Sequence, residues 1–284
     1  MPRLDYLASV WCALPLRRLK TANGWRIPIL MYHGIGKDTG ASHPYFEINT
    51  TPAVFRAQLQ WLRQQGFQTL SLSDALNRLR SEAAEVRQAK YVVLTFDDGY
   101  REIYEEALPL LREHGFTATV YAIADKSCGE SRKSFKDREC MTRRELRELA
   151  SQGIEIGSHT VTHPRLYELP WDQVEAEIHD SKKMLEDCLG TAIHSFCYPY
   201  AYPEADKRFV NRLEAFIRHC GYKSNALTVI GTADHDTDPF RVPRLPVNTW
   251  DDERFLRAKV EGGYDWLHVP QFMFKLLKRP FGWN

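Results

Sequence analysis

Apolar strand-like runs alternate with amphipathic helical stretches along most of the chain, and no linker-like segment interrupts them. Ile27–His33 reads as a strand closed by Gly34. Thr50 or Thr51 then caps a helix with Pro52 at its start, an apolar stripe at Phe55, Leu59 and Leu62, and Gly66 as its stop. A second helix starts near Ser73. Tyr91–Phe96 is a buried strand, and a helix from about Arg101 to His114 follows until Gly115 ends it. Phe116–Ile123 reads as a strand, Thr142-Arg143-Arg144-Glu145 as a capping box opening a helix that ends before Gly153, and Ile154–Gly157 as a short strand. Trp171–Leu189 and Ala205–Cys220 are helical. Ile193–Tyr198, Tyr222–Val229 and Phe240–Val247 are extended, and Asp251–Val260 is a last long helix. Six or seven β-α units of this kind imply a single α/β domain built on a parallel barrel rather than an open sheet. Chemistry in such barrels lies at the C-terminal ends of the strands.

Two polar motifs sit at such ends. Thr95–Tyr100, Thr-Phe-Asp-Asp-Gly-Tyr, closes the apolar run Tyr91-Val92-Val93-Leu94, and Ser158–Pro164 reads Ser-His-Thr-Val-Thr-His-Pro. Burying two acids side by side is costly unless a cation or other donors compensate them. One carboxylate can bind the cation while the other takes a proton from water. His159 and His163 are four apart, but Gly157, the β-branched Thr160-Val161-Thr162 and Pro164 disfavour a regular helix. A tight loop can still aim both rings at one point. Two histidines alone would default to surface residues; joined to the strand-terminal Asp-Asp-Gly they predict a site for zinc or a similar divalent ion.

With 284 residues, 43% of them hydrophobic, and a formal charge of +1, the chain has the make-up of a globular protein and lacks the basic excess of a nucleic-acid binder. Six cysteines show no Cys-x-x-Cys spacing, which leaves them as buried or surface thiols; Cys128 and Cys140 bracket a charged loop and would pair only in an oxidising compartment. Tyr6–Leu16 is apolar and uncharged, with Asp5 before it and Arg17, Arg18 and Lys20 after it. It makes a poor signal peptide and is too short to span a bilayer, so a cytoplasmic location is expected, with peripheral contact at the inner membrane. Phe272–Asn284 mixes Phe272, Met273, Phe274, Leu276, Leu277, Phe281 and Trp283 with Lys275, Lys278 and Arg279. Both ends can rest on an anionic membrane surface or pack on the barrel.

The Asp-Asp-Gly and His-x-x-x-His motifs resemble the first two motifs of the polysaccharide deacetylase family, the NodB-homology domain of carbohydrate esterase family 4, and the resemblance runs from about Ile27 to Val247. It implies a distorted (β/α)7 barrel as a single domain over residues 27–265, flanked by a basic and apolar extension (1–26) and a basic, aromatic tail (266–284). It also implies Asp97 as catalytic base and Asp98, His159 and His163 as ligands of a divalent metal, Zn2+ first, with Co2+, Ni2+, Mn2+ or Fe2+ as alternatives. Phe196–Tyr200 resembles the third motif, commonly Arg-x-Pro-Tyr-Gly, with Tyr198 in place of the Arg and Ala201 in place of the Gly. Tyr200 keeps a backbone N–H for a tetrahedral oxyanion. The missing Arg leaves open how the base is held; Arg244 is the candidate substitute, the alternative being an arginine that covers the barrel mouth. For the general acid, His33 in Leu30-Met31-Tyr32-His33-Gly34 resembles circularly permuted members, and His268 is the alternative. Tyr32, Tyr100, Tyr198, Tyr200, Tyr202 and Trp250 can stack on sugars or pack in core and rim. The implied activity is metal-dependent removal of acetyl from an N-acetylated carbohydrate. An O-acetyl ester or formamide on a glycolipid, or a non-catalytic carbohydrate-binding relic, are the competing readings.

Overall fold

The computed structural model describes residues 3–19, 25–37, 44–45, 47–81 and 88–278. Seven parallel strands form a closed ring: β1 Ile29–Tyr32, β2 Lys90–Phe96, β3 Thr119–Ala122, β4 Glu155–Ser158, β5 Ser195–Cys197, β6 Ser224–Ile230 and β7 Val242–Pro246. Each pairs with the next in sequence, and β7 pairs back onto β1 through Leu245 opposite Leu30. The barrel expected from the alternation is therefore closed, with helices around it.

Two features distort it. Phe67–Leu70 pairs with the lower part of β2. The Thr69 and Thr119 hydroxyls accept the N–H groups of Thr117 and Leu72, tying this extra strand to β3. Between β6 and β7 no helix intervenes; Ala233–Asp234 pairs antiparallel with Arg26–Ile27 instead. Ile27–His33 is consequently not one strand. Pro28 has no N–H to give to a ladder, and the chain changes partners there, its carbonyl still accepting from the Val93 N–H at 3.0 Å.

Helix limits follow local chemistry. The Thr51 hydroxyl accepts from the Val54 N–H above Pro52–Gln64, Glu145 reaches back to the Thr142 N–H at 2.8 Å, and Gly115 ends its helix at φ +66°. Asp251–Val260 is not the last helix. The chain goes on through Asp265–Leu267 into His268–Lys278. Val269-Pro270 looks like a break in the sequence, yet a proline in the first helical turn loses no bond that the turn would make.

Apolar side chains fill two compartments. One lies between barrel and helices and includes Leu30, Phe55, Phe96, Val120, Phe196 and Leu245. The other includes Ile29, Val93, Tyr121, Cys197, Ala226 and Val242, the alternate residues of the same strands. The Tyr121 ring takes the space that a side chain at the neighbouring Gly157 would need: a Cβ there would lie 2.5 Å from the ring and 2.9 Å from the Ser195 carbonyl oxygen. Gly157→Ala should accordingly lower stability by about 1–3 kcal/mol. An unchanged urea midpoint for that variant would mean the barrel interior is looser than these distances imply.

Candidate metal and catalytic site

β2 ends at Phe96, and the Asp97 N–H still reaches across to the Tyr32 carbonyl at 3.0 Å. Neighbouring strand residues normally face opposite sides. Asp98 and Gly99 instead adopt φ of +69° and +68°, turning the chain sharply, and both carboxylates line one cleft of about 420 Å³. The histidine loop follows β4 in the same manner. Thr160 and His163 have φ of +67° and +62°, and the His163 N–H is held by the Thr160 hydroxyl at 2.9 Å. Glu177, from the helix Trp171–Leu189, accepts the N–H groups of Val161 and Thr162 at 2.8 and 2.9 Å and so clamps the loop.

These turns bring Asp98, His159 and His163 together. Asp98 Oδ1 lies 3.2 Å from His163 Nε2 and 3.6 Å from His159 Nε2, and all three residues are buried. His159 Nδ1 is 2.9 Å from the Cys197 carbonyl, which fixes the Nδ1–H tautomer and leaves Nε2 as a lone-pair donor. Burial and the neighbouring His163 push the His159 pKa down to about 4, so the ring is neutral at physiological pH. Neither Asp98 oxygen has a hydrogen-bond partner among the described residues. Burial alone would raise its pKa, but the nearby histidines overcome that and hold the carboxyl below its usual range. A buried carboxylate with two imidazole nitrogens and no donor of its own is a fitting set for a divalent cation.

Asp97 is held differently. Arg244, wholly buried on β7, donates from Nη1 and Nη2 to its two oxygens at 2.6 and 2.8 Å. The guanidinium is itself fixed by the Leu227 carbonyl at 3.0 Å, the Thr95 hydroxyl at 3.1 Å and Cys197 Sγ at 3.1 Å. Burial raises the Asp97 pKa, and the Arg244 charge and hydrogen bonds more than reverse that. A second cluster of potential ligands, Asp97, His159 and Cys197, shares this space. A guanidinium against two of its three members makes it the poorer cation site, since like charges at contact repel. His33, next after β1, has Nε2 4.0 Å from Asp97 Oδ2; burial lowers its pKa. Tyr200 sits at the mouth with φ +59°, its ring 4.6 Å from that of His163.

The polysaccharide deacetylase profile matches residues 84–218. YxkH of Bacillus subtilis (strain 168), named for polysaccharide deacetylases, is 30% identical over 230 residues, 81% of this chain and 74% of its own length. The chain belongs to the polysaccharide deacetylase family. The poly-β-1,6-N-acetyl-D-glucosamine N-deacetylase of Escherichia coli (strain K12) is 30% identical over 139 residues, 46% of this chain but only 20% of that longer protein. The barrel superposes on the Streptococcus pyogenes deacetylase PplD in complex with acetate with a TM-score of 0.69 at 24% identity, covering 84% of this chain and 99% of that one. It superposes on IcaB from Ammonifex degensii with a TM-score of 0.67 at 18% identity, covering 84% and 98%.

Within this deacetylase barrel, His33, Asp97, Asp98, His159, His163, Tyr198 and Tyr200, all singled out by sequence, line the cleft. Arg244 stands behind Asp97 inside the barrel and does not cover the mouth. Tyr198, at the position of the family Arg, turns into the core and packs edge-on against Tyr202 at 5.1 Å, so the guanidinium comes from β7 instead. His268 opens the final helix and is absent from the cleft lining. Tyr32, Tyr100 and Tyr202 are buried, which leaves Tyr200 and Trp250 as the exposed aromatics of that group. Cys128 and Cys140 are unpaired; the thiol that Cys128 meets is that of Cys188.

Sequence reasoning missed Glu177 and one wall of the cleft. The hairpin Ser134–Phe135/Arg138–Glu139 turns through Lys136 and Asp137, both at positive φ. Phe135 packs on His163 at 4.8 Å, and Lys136 Nζ lies 5.0 Å from the Tyr200 ring. Lys136-Asp137 lacks the Asn-Gly or Asp-Gly signature of a two-residue hairpin turn, so the sequence carries no local signal for it. The Asp97–Arg244 pair carries its own prediction. Arg244→Met strands a buried carboxylate and should cost about 3–5 kcal/mol in a denaturation experiment. Adding Asp97→Asn removes the stranded charge, so the double variant should recover a large part of the loss; a merely additive result would show that the two side chains are not coupled.

Proposed function

We propose that this chain is a divalent-metal hydrolase that removes the N-acetyl group from an amino sugar within a glycan, releasing acetate. The observation that carries the reading is the buried, donor-less Asp98 carboxylate facing two imidazoles, with a second carboxylate beside it already bound by arginine. The amide-hydrolysing name of the Escherichia coli relative supports an N-acetyl substrate.

In this reading Asp98, His159 and His163 hold the ion. When bound, it supplies Lewis acidity and eases deprotonation of water, whose pKa at such ions drops to about 7. Asp97, kept ionised by Arg244, accepts the proton of the attacking water. The Tyr200 N–H donates to the oxygen that gains charge in the tetrahedral state. An amine leaves poorly without protonation, and His33 is the donor in reach of the same space. Burial leaves His33 largely uncharged at rest. The proton that Asp97 takes from water therefore has His33 Nε2, 4.0 Å away, as its next acceptor before it reaches the nitrogen.

Five variants separate these roles. Asp98→Asn or His163→Ala should lose bound metal and activity together, measured by elemental analysis and acetate release. Asp97→Asn should keep its metal and lose activity by a factor of about 100 to 10,000. His33→Gln should lower kcat at unchanged metal content, while His268→Gln stays at the level of the unsubstituted protein. Acetate release that survives exhaustive chelation, or release from O-acetylated but not N-acetylated glycans, would overturn the reading.

A further inference from the structure

The two ends of the described chain pack on the barrel by one face only. The N-terminal helical stretch, residues 4–19, buries Ser9 and Leu14 and lays Tyr6 on Phe255 at 5.1 Å. Its exposed positions through residue 16 are Leu4, Leu7, Trp11, Cys12, Pro15 and Leu16. None is charged or strongly polar. At the other end, the exposed positions over residues 266–276 are Trp266, Val269, Pro270, Met273 and Phe274, again without a charge. Ordinary surface helices put charged residues outward. Here that pattern is reversed on two helices at once, with Trp11 62% and Val269 63% exposed. The rows join at Trp266, whose indole N–H donates to the Ser9 hydroxyl at 3.0 Å. Eight of the twelve exposed large hydrophobic residues among those described lie on these two stretches.

Charge is partitioned in the same way. Residues 1–26 carry five basic side chains and one acidic, and residues 266–284 carry three basic and none acidic. With a whole-chain charge of +1, the 239 residues between them are left at −6. Arg3, Arg17, Arg26 and Lys275 are held in ion pairs with Asp5, Asp251, Asp265 and Glu204. It is therefore the net positive charge of the two stretches, with Arg18, Lys20, Lys278 and Arg279 included, that joins the apolar rows and their tryptophans in matching a phospholipid interface with anionic headgroups. No helix of the described residues is long and apolar enough to cross a membrane, so the contact is one of lying on the surface.

We infer that the paired terminal helices dock the protein on an anionic phospholipid surface and present the cleft to a glycan carried on a membrane lipid. The same elements form a cleft wall. Arg3, Tyr264, Gln271 and Lys275 line it, and Gln271 is bonded to the Ile230 N–H and the Thr228 carbonyl of β6, both at 3.1 Å. Docking therefore brings the mouth close to the lipid headgroups. The lipid-linked substrate class rests on the deacetylase reading above; the docking surface does not.

The test floats full-length protein with vesicles of phosphatidylcholine, with and without phosphatidylglycerol. The comparison is a variant carrying Leu7→Glu, Trp11→Glu, Val269→Glu and Met273→Glu. The unsubstituted protein should float with the anionic vesicles and more weakly with neutral ones, and the variant should lose at least about tenfold in partitioning. Metal content and acetate release from a soluble N-acetylated oligosaccharide should stay unchanged in the variant, which reports its fold and tests the deacetylase reading separately. No flotation, equal flotation on both vesicles, or flotation kept by the variant would each overturn the proposal. So would a dimer that dissociates in the variant while neither protein binds vesicles, because the rows would then cover a second copy.

Discussion

The ion pair between Asp97 and Arg244 is the interaction on which the mouth of the barrel depends. Two adjacent buried carboxylates repel each other, and one would normally hold a proton. Arg244 removes that conflict by meeting both Asp97 oxygens from inside the barrel, which leaves Asp98 as the carboxylate free to face the histidines. Two consecutive and chemically identical residues thus acquire different environments. In the proposed mechanism this difference separates the base from the ligand.

The geometry also has a conformational cost. Every described non-glycine residue with positive φ is at or next to the cleft: Asp98, Lys136, Asp137, Thr160, His163 and Tyr200. Left-handed backbone at such residues costs of order 1 kcal/mol or more apiece. It persists because side-chain bonds over-determine the loops, as Thr160 and Glu177 do for the histidine loop. Left-handed backbone concentrated around the cleft marks where the fold is bent to serve a site.

Much of this was legible in the sequence, and the rest was hidden for definable reasons. Local signals carried the strands and helices: the apolar run before Asp97, the caps at Thr51 and Thr142, the stop at Gly115, and a helix at Trp171–Leu189 with the limits expected. The Asp-Asp-Gly and His-x-x-x-His patterns are local too, and barrel closure brings them together. What failed to show were relations across the ring. Arg244 enters the sequence reading as the candidate partner of Asp97 only through the resemblance; nothing near it says that β7 closes against β1 and so brings its guanidinium to the end of β2. Glu177 looks like any acid on an amphipathic helix until the loop it holds is seen. Pro28 breaks a strand that reads as continuous, and the helix His268–Lys278, with Pro270 in its first turn, lies where the sequence reading has only a tail. Lys20, Arg279, Phe281 and Trp283, part of the membrane expectation for the two ends, lie outside the described residues.

The terminal stretches are not appendages to a finished barrel. Arg3 bonds Asp5 and Asp251, Asp251 takes the buried Lys259 ammonium at 2.6 Å, and Asp265 receives Arg17 and Arg26 at 3.6 and 3.3 Å. Lys275 reaches Glu204 at 2.7 Å beside the cleft. These links tie both ends to the loops after the last strands, so the wall of the cleft that they build has the rigidity of the barrel behind it. Two demands then fall on the same short helices: inner faces that are polar where they border the cleft, and outer faces that are apolar and exposed. A helix needed only for stability has no reason to combine the two, because charged outer positions would serve solubility better at no loss of packing.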